Sequence, residues 1–338
     1  MANNDNLLSV QDLKVYFQLN GTVSRAVDGV SYDIEKGQTA CLVGESGCGK
    51  TVSALTIMGI IPQPPGKIMG GKVLFNGQNL LDLSDDEMQK IRGNHIAMVF
   101  QEPMTSLNPV FTIGDQIKEA ISVHERVDQN ELEQRCIEVL TDVGIPSPEE
   151  RLNDYPHQLS GGLRQRVMIA MALACDPDLV IADEPTTALD VTIQAQILNL
   201  FEELQEKRQM SLLYITHDLG VVANIADQIY VMYAGIIVEQ GNTVAIFHNP
   251  FHPYTQGLLA SLPTRTKRGS LLHSIPGTVP DPAYKPNGCP FHPRCSFAIN
   301  TCREEFPKMC DYGHGHLSRC PVLFERERPS HETDRSIR

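Results

Sequence analysis

At 338 residues the chain is long enough for about two domains of roughly 150 residues each, and 41% hydrophobic against 20% charged residues excludes a disordered polymer. The net charge of −13, from 28 basic and 41 acidic residues, argues against a general nucleic-acid binder, which carries a basic excess or stripe. The first residues lack the basic-then-apolar order of a signal peptide, and no apolar run approaches the ~20 residues that span a bilayer. A cytosolic polypeptide is therefore expected, with nine cysteines that do not form a disulfide framework.

Two alternating segments, 13–17 and 26–34, read as antiparallel strands with one buried face. Either Tyr16 or Phe17 is placed to leave an aromatic face exposed near the loop that begins at Gly44. Residues 39–43 form a short apolar strand, and Gly44-Glu45-Ser46-Gly47-Cys48-Gly49-Lys50-Thr51 fits the phosphate-loop pattern of Gly, four residues, Gly-Lys and Ser or Thr. Val52, Leu55 and Met58 then recur as one face of a helix. In this setting backbone N–H groups turn inward around phosphate oxygens, and the helix N-terminus adds partial positive charge. Lys50 is expected to reach the β/γ-phosphates and Thr51 to ligate Mg²⁺. Cys48, at a helix N-terminus beside Lys50, is expected to have a lowered pKa, to alkylate readily and to be protected by MgATP.

Prolines at 62, 64 and 65 end helical structure. Residues 71–76 give a strand closed by the turn signal Asn76-Gly77, and the apolar strand 96–100 stops at Gln101. From 113 to about 143 the pattern is helical, with Ile113, Ile117, Ala120 and Ile121 on one face and Leu132, Cys136, Val139 and Leu140 on another. This reads as a helical insertion between strands of the main sheet. Ser160-Gly161-Gly162 opens a helix carrying Leu163, Val167, Ala170, Met171 and Ala174, with Ser160 as its N-cap. Two glycines there make a second anion site; a capped helix start and nothing more is the plainer alternative. A strand at 179–182, a helix at 193–206, a strand at 212–216, a helix at 219–226 and a hairpin around Ala234-Gly235 complete the alternation. It implies an α/β fold with a parallel sheet covered on both faces. Beyond residue 240 proline becomes frequent and periodicity fades, marking a loop-rich appendage.

Ligands of a parallel sheet sit at the carboxyl ends of its strands, and four strand ends here carry chemistry. Asp183 is placed to hold Mg²⁺ directly or through water, and Glu184 to polarise a water attacking the γ-phosphate. Gln101 can offer its amide to the metal or to that water, and His217 is delivered to the same pocket. A chain that needs one phosphate cradle yet carries two suggests that the Ser160–162 cradle serves another chain's nucleotide.

Gly44 to Thr51, Gln101, Leu159-Ser160-Gly161-Gly162, Asp183-Glu184, Ala188-Leu189-Asp190 and His217, in this order, resemble an ATP-binding-cassette (ABC) ATPase over roughly residues 7–240. The resemblance implies a P-loop NTPase (RecA-like) core with an antiparallel β edge subdomain and a helical insertion. It implies two cassettes packed head to tail, each ATP lying between one phosphate loop and the partner's Ser160, Gly161 and Gly162, with Asp190 at the interface. Gln101 would sense the γ-phosphate and join Thr51 and Asp183 around Mg²⁺, His217 and Glu184 would act in hydrolysis, and an aromatic near Phe17 would stack on adenine. Leu163 departs from the family's usual Gln. Longer strings, Gln101 to Pro109, Tyr155-Pro156-His157-Gln158-Leu159, Asp183 to Thr192, and in the tail His252-Pro253-Tyr254-Thr255 and Pro276-Gly277-Thr278-Val279-Pro280, resemble the ATPases of dipeptide and oligopeptide importers.

Cys289, Cys295, Cys302, Cys310 and Cys320 fall within 32 residues with His292, His314 and His316, separated by five, six, seven and nine residues. These spacings do not match the C-x₂-C of common zinc sites; irregular thiolates also suit iron–sulfur centres, and cysteines without metal stay open. The resemblance implies a [4Fe–4S] cluster on Cys289, Cys295, Cys302 and Cys320. The expected domains are 1–100 with 160–240 as core, 101–159 as helical subdomain and 241–338 as extension. The expected setting is the cytoplasmic face of the membrane, against two permease subunits and a second ATPase subunit, with a substrate-binding protein acting from outside and no nucleic acid. Alternatives are the same machinery carrying nickel, an opine or a sugar, a soluble cassette ATPase acting on nucleic acid or ribosomes, or a metal-sensing module.

Overall fold

A computed structural model describes residues 6–19, 21–101, 106–187, 189–262 and 274–323. Residues 102–105 and 188, which belong to the motif strings, and the last residues of the chain lie outside the described ones.

Two long strands, β1 (Asn6–Leu19) and β2 (Thr22–Glu35), open the chain. With β4 (Gly66–Phe75) and β5 (Gln78–Asn79) they form an antiparallel sheet in the order β2-β1-β4-β5. Asn76 and Gly77 both take positive φ, 47° and 84°, the conformation that the two-residue hairpin turn requires.

The second sheet runs β11-β12-β10-β9-β3-β8-β7-β6. Its parallel part comprises β3 (Thr39–Val43), β6 (Ile96–Val99), β7 (Leu179–Asp183), β8 (Ser211–Thr216) and β9 (Gln228–Tyr233). β3 lies between β8 and β9, which puts the phosphate loop at its centre. Successive residues of these strands enter different cores. Cys41, Val43, Val180, Ala182, Leu212 and Tyr214 face one cluster, and Ala40, Leu42, Leu179, Ile181, Leu213 and Ile215 the other. Burial on both faces explains why these strands read as unbroken apolar runs.

The second of these cores is closed by the antiparallel sheet with α1 (Lys50–Ile57) and α2 (Asp85–Ile91). In α1 the deeply buried residues are Ser53, Ala54, Thr56 and Ile57, while Val52 and Leu55 are half-buried. Met58 is buried and Val52 and Leu55 pack on the same core, but the deepest face of the helix is turned toward Ser53, Ala54 and Ile57 from the one that the Val52, Leu55, Met58 spacing suggests. Ser53 bonds the buried Tyr32 hydroxyl at 2.9 Å, and that polar pairing hides it from a hydrophobicity pattern. The first core takes α3 (Ile113–Ser122), α4 (Gln129–Asp142), α6 (Gly161–Leu173), α7 (Val191–Arg208) and α8 (Leu219–Ile225), while the short α5 (Pro148–Arg151) buries none of its residues. Ile113, Ile117 and Ile121 of α3 and Leu132, Cys136, Val139 and Leu140 of α4 are all buried.

β10 (Ile236–Asn242) pairs with β9 around Ala234-Gly235 and leads into α9 (Thr243–His248), α10 (Pro253–Ala260) and α11 (Asn300–Glu304). The tail then returns to the sheet: β12 (Leu317–Ser318) pairs with β10 and with β11 (Cys310–Asp311). The appendage is thus an edge of the main sheet, joined by pairings too short for a periodicity to announce.

Candidate functional site

The loop between β3 and α1 is held by close backbone approaches that only glycine permits. A Cβ on Gly44 would lie 2.1 Å from the Met232 carbonyl oxygen, and one on Gly49, at φ 105°, would lie 2.3 Å from that of Ala26. Gly235 N–H donates to the Cys48 carbonyl at 2.9 Å, tying the loop to the β9–β10 turn. Lys50 is 5% exposed, and its ammonium donates to the carbonyls of Gly44 at 2.7 Å and Glu45 at 3.2 Å. The charge is thereby held over the loop's own backbone.

Thr51 Oγ1 donates to Asp183 Oδ1 at 3.2 Å, joining the first turn of α1 to the end of β7. Burial pushes the Asp183 carboxyl above the usual carboxylate range, with the Thr51 hydrogen bond opposing and the neighbouring Glu184 charge adding to the rise. A buried carboxylate beside an alcohol oxygen is a hard-oxygen donor set that a divalent cation such as Mg²⁺ would complete.

Glu184 is the node of the site. Its backbone has φ 45°, a conformation that costs a non-glycine residue about 1–3 kcal/mol, and it is pinned by donation from Glu184 N–H to the Ile215 carbonyl at 2.9 Å. Three side chains meet its carboxylate: Gln101 Nε2 at 3.2 Å, Thr187 Oγ1 at 3.0 Å and His217 Nδ1 at 3.2 Å. Each stands just past the end of β6, β7 or β8, so three neighbouring strands converge on one carboxylate. Gln101 thus donates to Glu184, whereas a metal or water contact is what its position alone suggested. Thr187 belongs to a motif string but had no assigned role; its hydroxyl is the contribution that sequence reading missed.

These groups line a cavity of about 570 Å³ bounded by Glu45, Ser46, Gly47, Gly49, Lys50, Thr51, Gln101, Glu184, Thr187 and His217, with Ala26 and, from the tail, Leu258. Phe17 does not line it. Phe17 is half-buried and packs against the second core, its ring edge beside Gly66. On the opposite face of the same strand, Tyr16 donates to Asp28 at 2.7 Å under the Arg25 guanidinium.

Ser160, Gly161, Gly162 and Asp190 also lie outside the cavity. Ser160 caps α6 by accepting from Leu163 N–H at 3.4 Å; Ser160 and Gly161 are exposed, and Gly162 packs on Ile193 of α7. Asp190 is exposed and caps α7 by accepting from Thr192 and Ile193 at 3.0 and 2.9 Å.

Cys48 corrects an expectation. It is fully buried, and that burial raises its pKa in spite of the opposing Lys50 charge. A helix N-terminus lowers a thiol's pKa only where water can still solvate the thiolate.

In the tail, Cys289, Cys295, Cys302, Cys310 and Cys320 line one cavity of about 460 Å³ together with Phe291, Phe297, Ile299 and Phe306. Burial pushes the Cys289 thiol up to about 11 and the Cys320 thiol up to about 12. Among the described residues no three His, Cys, Asp or Glu side chains gather closely enough to hold a metal ion, and no helix is long and apolar enough to cross a membrane.

Residues 27–187 match the family of ABC transporters, and residues 238–302 match the oligopeptide/dipeptide transporter C-terminal region. The chain is 53% identical to the dipeptide transport ATP-binding protein DppD of Escherichia coli K12, over 93% of this chain and 96% of that one. It is 52% identical to the oligopeptide transport ATP-binding protein OppD of Bacillus subtilis, over 94% and 89% respectively. Among solved structures, the dimeric ATP-binding cassette MJ0796 in a post-hydrolysis state with ADP and Pi superposes with a TM-score of 0.63 at 28% identity, covering 70% of this chain and 98% of that one. With its phosphate loop and its Glu184 node in one cavity and Asp183 hydrogen-bonded to the loop's Thr51, the chain belongs to the ABC transporter ATPases, in the branch of the dipeptide and oligopeptide ATP-binding proteins.

Proposed function

We infer that this protein hydrolyses ATP to energise uptake of di- or oligopeptides through membrane permeases. The observation that carries the reading is the convergence of Gln101, Thr187 and His217 on Glu184, within the cavity that the phosphate loop closes. Lys50 and the loop N–H groups hold the β/γ-phosphates, and Thr51, Asp183 and Gln101 would supply the oxygens for Mg²⁺. When bound, the metal neutralises charge developing on the phosphates. Glu184 accepts a proton from the attacking water as the water oxygen bonds to the γ-phosphorus. The bond from that phosphorus to the bridging oxygen of ADP breaks, and His217 orients the carboxylate. Positioning and charge supply the rate, with no covalent intermediate.

Ser160, Gly161 and Gly162 at the start of α6 serve the nucleotide of a second ATPase subunit, a paralogue, and Asp190 lies at the interface with it. That subunit completes each site while two permeases receive the stroke at the cytoplasmic face of the membrane. What supports this is that Ser160 and Gly161 are exposed and that Ser160, Gly161 and Gly162 do not line their own chain's cavity. Co-purification with detergent-solubilised permeases, and peptide uptake by the reconstituted complex that stops without ATP, test the reading. Retention on nucleic acid without permeases would sink it.

The thiol-lined tail cavity is read as the seat of a [4Fe–4S] cluster on Cys289, Cys295, Cys302 and Cys320. What supports this reading is that all four thiols line one cavity, where they would be the ligands of the irons. A cluster would supply the positive charge that deprotonates thiols raised by burial. Iron and acid-labile sulfide assays on anaerobically purified protein check it, and their absence would remove it.

A further inference from the structure

The tail also grips the phosphate loop through a pair that the hydrolysis chemistry leaves unused. Glu45 is the second residue of the loop and lines the nucleotide cavity. Its carboxylate accepts both forks of the Arg294 guanidinium, Nη1 to Oε2 at 2.7 Å and Nη2 to Oε1 at 3.0 Å, the bidentate geometry that fixes direction as well as charge. Arg294 is 8% exposed and held from every side. Its Nε donates to the Pro276 carbonyl at 2.8 Å, and its guanidinium lies over the rings of Tyr233 and Phe291 at 5.8 and 6.0 Å. The backbone of Glu45 is gripped too, its N–H donating to the Tyr254 hydroxyl at 2.9 Å. Both halves of one loop residue are therefore fastened to the tail.

A carboxylate in a cradle built for phosphate repels the anion that the loop must bind. A buried guanidinium cancels that charge and fixes the carboxylate's position. We propose that Arg294 is a positioning residue for ATP binding: it neutralises Glu45 and sets the loop, so the cassette's affinity for MgATP requires a docked tail. The inference rests on the ATPase reading of the same cavity.

The test uses full-length protein, with MgATP binding and steady-state hydrolysis measured side by side. Arg294→Gln is expected to raise Kd and KM for MgATP by about 10- to 100-fold, as removal of one partner of a buried charge pair does, with kcat at saturation within about threefold. Adding Glu45→Gln to that variant is expected to recover most of the lost affinity, because the uncompensated carboxylate is gone. A purely packing role for Arg294 would leave the double variant as weak as the single one, and that result, or wild-type affinity in Arg294→Gln, overturns the proposal. Should Arg294→Gln fail to fold, Arg294→Lys carries the test. It keeps the charge but loses the fork, and a several-fold rise in KM is expected, unchanged KM being contrary. A wild-type chain that binds no MgATP would instead fell the ATPase reading itself.

Discussion

The parallel-sheet core and the tail beyond residue 240 are stabilised in different ways, and both touch the nucleotide cavity. Strands β3, β7 and β8 are buried along their whole length, and the core is fixed by apolar side chains entering two clusters. The tail has two-residue strands and short helices and is fixed by particular polar and aromatic contacts. Glu239, fully buried in β10, accepts from Phe251 N–H, His252 N–H and His316 Nε2. Tyr233 of β9 packs against Tyr254 and Phe291, ring centres 4.6 and 5.2 Å apart. Hydrophobic burial tolerates much exchange among apolar residues, whereas a buried acceptor with three donors fails when one atom is lost. The core should therefore be sensitive in its chemistry and its glycines, and the tail in single polar groups.

The sharpest separation is expected from Glu184→Gln. It should keep MgATP binding while lowering turnover about 10²- to 10⁴-fold, the usual contribution of a general base; undiminished hydrolysis in the assembled complex would break the assignment. Gly49→Ala strikes the core backbone, where the added methyl meets the Ala26 carbonyl at a φ of 105°. A loss of about 2–6 kcal/mol, summing strain and overpacking, should appear in denaturant melts together with lost ATP binding.

The tail should respond to acid. His252 is buried, and burial lowers its pKa to about 4; its neutral Nδ1 accepts from Tyr254 N–H at 3.1 Å. Unfolded His titrates near 6.5, so between that value and about 4 the unfolded chain binds the proton and the folded one does not. Stability present above pH 6.5 is thus lost as pH falls toward 4, by roughly 3 kcal/mol at most. Melts at pH 7 and 5 should show this loss in wild type and much less of it in His252→Asn, which keeps the helix cap; equal losses would remove His252 as the cause. The smallest effect concerns Cys48. Each unit of upward shift removes about tenfold of thiolate, so Cys48 should alkylate more slowly than a free thiol at pH 8 in the folded chain. Fast labelling would mean that the loop is more open than its buried packing indicates.

Much of the core could be read along the chain because its signals are local. Strand 39–43, the loop glycines and Lys50-Thr51 are contiguous, and apolar runs ending in Gln101, Asp183-Glu184 and His217 place those residues once the sheet is parallel. The rotation of α1 and the inward turn of Phe17 were not readable, since a half-buried aromatic and a buried Ser53 are decided by what lies across the core. Thr187 needed the left-handed turn at Glu184 to bring its hydroxyl onto the carboxylate. The pairing of Glu45 with Arg294 spans 249 positions and leaves no periodicity or spacing to detect. Motif and pattern therefore determined which chemistry the chain carries, because those residues are neighbours in sequence. Tertiary folding alone decided that the tail grips the phosphate loop, because a charge pair between distant segments exists only once both are packed.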